Sequence, residues 1–130
     1  MAHPLMFDDA DPYLARLRRV ALALPDAAEK VSHGRPAFFT TKVFAYVGGA
    51  LRVDGEWEQH EHAVVVLPDA AEREALLHDE RVWVPAYLGV SGWLGLDLDD
   101  GTDWAEVAEL VESSYRVTAG ARRVRWLDER

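Results

Sequence analysis

Four sets of residues have the types and spacings that chemistry can use. His60 and His62 lie two apart, so on a strand both rings would face one side, with Glu58 in line. Two imidazoles and a carboxylate suit Zn²⁺, yet no fourth ligand stands at a recognisable distance, and a surface His-x-His pair is the plainer account. His33-Gly34-Arg35-Pro36 sets a titratable ring and a guanidinium on a turn, where Arg35 can clamp a carboxylate or a phosphate. The plainer account there is a Gly34 turn in which Arg35 pairs with a nearby acid. Phe38, Phe44, Tyr46, Trp83, Tyr87, Trp93 and Trp104 raise the idea of a stacking surface, but aromatics at strand and helix spacing are mostly core, and at least five are assigned to packing. Tyr87 and Trp93 flank a Gly-bearing loop and are the expected exposed contacts. The carboxylates of Asp99 and Asp100 fall on a turn and read as solvated.

Covalent chemistry finds no footing. No Gly-x-Ser-x-Gly occurs, and Ser91 has Gly92 after it but no Gly two residues before it. Phosphate loops and dinucleotide fingerprints are missing, and Gly92-Trp93-Leu94-Gly95 has the spacing of neither. The chain contains no cysteine, which removes a thiol nucleophile, thiolate metal ligands and disulfides. No residue set nominates itself as catalytic, and no pattern calls for a cofactor. Were there an enzyme here, His33 with Arg35 would be the first place to look.

The elements that must position these residues follow from periodicity. Asp11-Pro12 is a helix start, and Leu14, Leu17, Ala21 and Leu24 recur at three and four to give an amphipathic helix ending at Pro25. Val31, Ala37–Phe39 and Val43–Val47 read as strands, with Gly48-Gly49 as a hairpin signal and Leu51–Val53 as a possible return. A polar run, Glu56 to Glu61, then leads into Ala63–Leu67, an apolar stretch suited to an inner strand. Asp69 with Glu72 marks a second helix anchored by Leu76 and Leu77. Val82–Pro85 and Trp93–Leu98 read as two further strands. Thr102 or Asp103 caps a last helix whose apolar face is Trp104, Val107, Ala108, Val111 and Tyr115, with Glu106 reaching back to the cap. After Gly120, the Arg122-Arg123-Val124-Arg125 tail reads as a final strand or a frayed basic end. The string Leu-Pro-Asp-Ala-Ala-Glu occurs at 24–29 and again at 67–72, ending a helix in the first copy and opening one in the second. The expected architecture is α+β, an antiparallel sheet with three helices in the order α-β-β-β-α-β-β-α.

Length and charge bound the rest. At 130 residues the chain suits one domain, here expected over 1–130 with 1–10 and 119–130 as loose ends. Apolar residues form 49% and charged residues 28%, the balance of a folded soluble protein. Neither a membrane-spanning run nor a leader pattern is seen, so the expected location is the cytoplasm. Net charge is −9, concentrated between residues 61 and 115, where two Lys or Arg face 13 Asp or Glu. Phosphate neutralisation supplies most of the affinity of nucleic-acid binders, so this middle half would repel a polyanion unless its acids faced away.

Several segments, in order and spacing, resemble the MmcQ/YjbR family of small bacterial proteins. They are Leu24-Pro25, His33-Gly34-Arg35-Pro36-Ala37-Phe38, Lys42-Val43-Phe44-Ala45, Leu76-Leu77, Tyr87-Leu88-Gly89, Gly92-Trp93-Leu94 and Ser114-Tyr115-Arg116. The resemblance covers about residues 11–118 and implies an α+β fold similar to frataxin-like and secretion-chaperone-like folds. It also implies DNA contact through a double wing, here the Val47–Leu51 turn and the Tyr87–Trp93 loop. Neither loop carries a Lys or Arg, and the nearest basic groups are Arg35, Lys42, Arg52 and Arg81. The leading expectation is therefore a non-catalytic binding domain contacting nucleic acid through Arg35, Lys42, Arg52, Arg81, Tyr87 and Trp93. The alternative is a module that takes a protein, a small ligand or a cation on its acidic surface or in a Tyr/Trp-lined groove.

Overall fold

Helix α1 (Pro12–Ala21) starts where the sequence says it should. The Asp11 carboxylate accepts from the Tyr13 N–H at 2.9 Å, and Pro12 occupies a position where a missing N–H costs nothing. Leu14, Leu17 and Ala21 turn inward, and the helix stops short of the expected Pro25. The structure, a computed structural model, describes residues 4–130.

Strands β1 (Ala28–Ser32) and β2 (Arg35–Phe39) meet at His33-Gly34, and β3 (Val43–Val53) and β4 (Glu56–Val66) meet at Asp54-Gly55. Both turns have positive φ at both central residues, 51° and 84° in the first and 52° and 82° in the second. That is the signature of the two-residue hairpin turn whose twist matches its strands. Helix α2 (Ala70–Leu76), capped by Asp69 through the Glu72 N–H at 2.8 Å, leads to β5 (Val82–Trp83). A single 3₁₀ turn (Leu88–Ser91) precedes β6 (Leu94–Asp97), and helices α3 (Trp104–Thr118) and α4 (Ala121–Glu129) close the chain. The six strands form one sheet in the order β1-β2-β3-β4-β6-β5, antiparallel at every step. The expected α+β class and antiparallel sheet hold.

Residues on β4 divide the interior by their period of two. Val64 and Val66 face Leu14 and Leu17 of α1 and Val107, Val111 and Tyr115 of α3. Ala63 and Val65 face the other way, against Trp83 and Trp93, with Tyr46 packed alongside. Each large side chain buried this way is worth about 1.5–3 kcal/mol. Ser114 at 0% exposure joins the layers: its hydroxyl donates to the Phe44 carbonyl at 2.5 Å and accepts the Leu67 N–H at 2.9 Å. Trp83 lies across Gly95, where a Cβ would strike its ring, so the second layer closes only because that residue has no side chain.

Four expectations need correction. Gly48-Gly49 does not reverse the chain: β3 runs straight through, with Gly48 at φ +76° in a register irregularity between Val47 and Gly49. The true hairpin is Asp54-Gly55, so the Val47–Leu51 turn does not exist and the run from Glu56 is strand. The tail after Gly120 is neither strand nor frayed but a fourth helix, because Leu127 is buried in the main core while Arg116–Asp128 and Arg123–Asp26 pair at 2.8 and 3.1 Å. Leu77, expected to anchor α2 with Leu76, is exposed, and only Leu76 reaches the core. Glu106 does not close a capping box: Asp103 alone caps α3, and Glu106 turns to Arg81 instead.

Candidate functional site

The β1–β2 turn, the middle of β3, the start of β4 and the 84–91 segment converge on two contiguous clefts of about 470 and 530 Å³. His33, Arg35, Ala86 and Tyr87 line both. Ser32, Tyr46, Gly48, Gly49 and Leu88 complete the first, and Met6, Ala50, Trp57 and Gln59 the second. Volumes of this size suit small molecules.

Arg35 is the cation of the groove. It is half-buried, and its guanidinium donates to the Gln59 amide oxygen at 2.8 Å. Among the described residues no carboxylate lies within 4.0 Å of it, whereas Arg18, Arg81, Arg116 and Arg123 all hold one. Burial pushes its pKa below the ordinary guanidinium value, with the charge of Glu61 pulling the other way. It nevertheless stays a cation at any ordinary pH. Gly48 creates its berth: a Cβ there would overlap the guanidinium. Behind it, burial also pushes up the Tyr46 phenol.

Tyr87 forms the outer wall. Its ring is 82% exposed and its backbone sits at φ 65°, ψ −62°. With the Leu88 N–H donating to the Ala86 carbonyl at 2.7 Å, this is the positive-φ γ-turn, a rare and strained form. The neighbours fix it: the Ala86 N–H donates to the Ala50 carbonyl of β3 at 2.8 Å, and the Gly89 N–H to the Pro85 carbonyl at 2.9 Å. Opposite stands Trp57, 47% exposed, its ring centroid 6.2 Å from that of Tyr87. Arg52 lies over the Trp57 ring at 5.2 Å while donating to the Gly55 carbonyl at 2.7 Å.

Of the six residues expected to share a contact face, Arg35 and Tyr87 line the groove together, and Arg52 borders it through Trp57. Lys42 is exposed just before β3 and lines neither cleft. Arg81 is held by Asp79 at 2.7 Å and Glu106 at 2.9 Å. Trp93, expected to be exposed, is 8% exposed and packs edge-on against Tyr46 with centroids 5.1 Å apart; covering the second layer is its evident work.

His60 and His62 part company. His60 stacks on Trp83 and bonds Asp97 at 2.6 Å and Glu58 at 2.7 Å. Burial lowers its pKa, but the two carboxylates outweigh that and raise it overall. His62 instead meets Asp11 at 2.8 Å, beside the Tyr13 ring. The ladder irregularity, with Gly49 opposite His60 and Val47 opposite Val64, breaks the alternation that would have aligned them. No group of three or more His, Cys, Asp or Glu among the described residues is placed to hold a metal ion.

Trp57 and Gln59 carry no site signal of their own in the sequence, and Gly48 reads there as a chain reversal rather than as the berth of Arg35. The signal for the first two was present in Asp54-Gly55, which marks the hairpin and makes the following polar run its returning strand.

The arrangement of an exposed hairpin tip beside a Tyr-bearing loop can be set against known proteins. The family model described as YjbR matches residues 22–117. The chain belongs to the YjbR family. Among solved structures, this YjbR chain is similar to the crystal structure of the Deinococcus radiodurans protein DR2400, whose family-model domain is DUF419. The likeness has a TM-score of 0.56 at 18% identity over 80% of this chain and 76% of that one. At that identity the likeness speaks for the fold alone. No curated protein matches the chain. No helix among the described residues is long and apolar enough to cross a membrane.

Proposed function

We propose that this YjbR chain is a binding domain whose groove takes a small organic anion on Arg35. The observation that carries this reading is a half-buried guanidinium, bonded to a neutral amide, in a cleft with aromatic walls. A desolvated cation without a carboxylate gains more from an incoming anion than one already neutralised, and its planar fork matches a carboxylate or phosphate. The aromatic and backbone surfaces around it supply the apolar contact that small-ligand sites use.

A nucleic-acid surface agrees less well with the same atoms. Arg81 is neutralised, Trp93 is buried, Lys42 lies outside the groove, and β4 carries Glu56, Glu58 and Glu61 along its exposed stretch. A polyanion needs several cations on one face, whereas one small anion need meet only Arg35.

Calorimetric titration with benzoate and phenylphosphonate, alongside mobility shifts with duplex and single-stranded DNA at about 50 mM salt, tests the choice. The expected result is heat with at least one small anion, abolished in Arg35→Gln, and no DNA shift. A salt-steep DNA shift without heat from either small anion would overturn it.

A further inference from the structure

Resting on the anion-binding reading of Arg35, we infer that the ligand's other half is a flat aromatic ring, inserted between Trp57 and Tyr87, so that the groove selects planar aromatic carboxylates. Three independent features of the two walls lead there.

First comes spacing. The two ring centroids are 6.2 Å apart and the planes are inclined by 32°. Carbon atoms in contact sit about 3.5–4.0 Å apart, so a ring held between two others needs walls about 7–8 Å apart. The centroids are thus closer than a sandwiched ring requires, and one wall must swing outward to admit it.

Second, the walls differ in rigidity. Trp57 is pinned: Arg52 lies over its ring and is itself tied to the Gly55 carbonyl. Tyr87, at 82% exposure, has open space on its outer side. A modest side-chain rotation of Tyr87 opens the slot, while Trp57 keeps its position as the fixed plate.

Third, the chain holds Tyr87 in a costly conformation. A non-glycine residue in such a region of φ/ψ is strained and persists only where its surroundings over-determine it. The hydrogen bonds from Ala86 to Ala50 and from Gly89 to Pro85 do that, as does the fit of Gly89 against Val84, where a Cβ would clash. Exposure so high means the phenol ring returns little by burial. The turn sets the ring in the wall of both clefts, which Arg35 also lines.

The acidic part of the ligand is a carboxylate rather than a phosphate dianion. A single guanidinium neutralises one carboxylate through its two parallel N–H groups, whereas a dianion would keep a charge that no second Lys or Arg among the residues lining either cleft can neutralise.

The test uses the full chain and three probes: 2-naphthoate, its saturated counterpart decahydro-2-naphthoate, and 2-naphthylphosphate. Binding is read by calorimetry and by tryptophan emission. The expected order has 2-naphthoate about tenfold tighter than decahydro-2-naphthoate, with the phosphate weaker than 2-naphthoate. Tyr87→Ala and Trp57→Ala should each erase most of the aromatic preference, and Tyr87→Phe should keep it. Equal binding of the saturated and aromatic carboxylates would overturn the slot while leaving anion binding at Arg35 standing. Tighter binding of the phosphate would overturn the carboxylate assignment, and failure of all three probes would remove the anion-binding reading as well.

Discussion

Replacing Ser114 by alanine removes one oxygen from the centre of the molecule, and that oxygen serves two partners. The hydroxyl donates to the Phe44 carbonyl of β3 at 2.5 Å and accepts the Leu67 N–H, just past β4, at 2.9 Å; the residue is 0% exposed. Alanine fills nearly the same volume, so the cavity contribution is small. What remains is a buried N–H and a buried carbonyl that each lose a partner, at about 1–3 kcal/mol apiece. Allowing for relaxation, Ser114→Ala should cost about 2–4 kcal/mol. For a chain of this length that lowers the melting temperature by roughly 8–15 °C. Urea unfolding followed by far-UV circular dichroism would show a lower midpoint with an unchanged slope. Ser91→Ala, at an exposed position, serves as control and should stay within about 0.5 kcal/mol of the parent. If Ser114→Ala also stayed within about 0.5 kcal/mol, α3 would be held on the sheet by apolar packing alone, and the bridging role of the hydroxyl would be wrong.

Two further outcomes follow from the same geometry. Tyr87→Gly relieves backbone strain of about 1–3 kcal/mol and gives up about 0.5–1 kcal/mol of chain entropy together with a marginal ring contact, so stability should hold or rise slightly while binding of 2-naphthoate falls. A clear loss of stability in the thermal melt would show that the turn is not strained. The raised pKa of His60 makes its bonds to Asp97 and Glu58 strongest when the ring is charged. Because the folded value lies above the unfolded one, that contribution is complete below the unfolded pKa of about 6.5 and fades as pH climbs through the folded value. The stability advantage of the parent over His60→Gln should therefore be larger at pH 6 than at pH 9 in paired urea titrations. An advantage that grows with pH would contradict the assigned charge state.

Much of the candidate site was legible before any coordinates. Arg35 on a Gly34 turn and Tyr87 beside Gly89 were marked by residue type and neighbouring glycines, and they do share a groove. Trp93 was misjudged because sequence position cannot say which side of a loop faces the sheet; there it packs on Tyr46. Arg81 is neutralised by two carboxylates, Asp79 two residues before it and Glu106 25 residues away, and no local pattern spans the second separation.

The hexapeptide Leu-Pro-Asp-Ala-Ala-Glu shows where local information stops. At 24–29 its Asp26 takes a φ of 63° and its last two residues begin β1, whereas at 67–72 its Asp69 caps α2 and its last three residues are helical. The same letters adopt two structures because Glu29 is drawn to Arg18 of α1 at 2.8 Å and β1 has β2 to pair with, while the second copy has no strand beside it. Sequence alone determined what short-range physics can enforce: the start of α1 at Asp11-Pro12, the unbroken apolar run at Ala63–Val66 that suits a strand covered on both faces, and the absence of any thiol chemistry. Tertiary structure decided what depends on distant partners. It turned Gly48 from a reversal into the berth of a guanidinium, made a helix of the basic tail by burying Leu127, and brought Trp57 and Tyr87, 30 positions apart in the chain, to within a ring's width. Local propensity costs tenths of a kcal/mol to override, and a buried side chain or a filled hydrogen bond outweighs it.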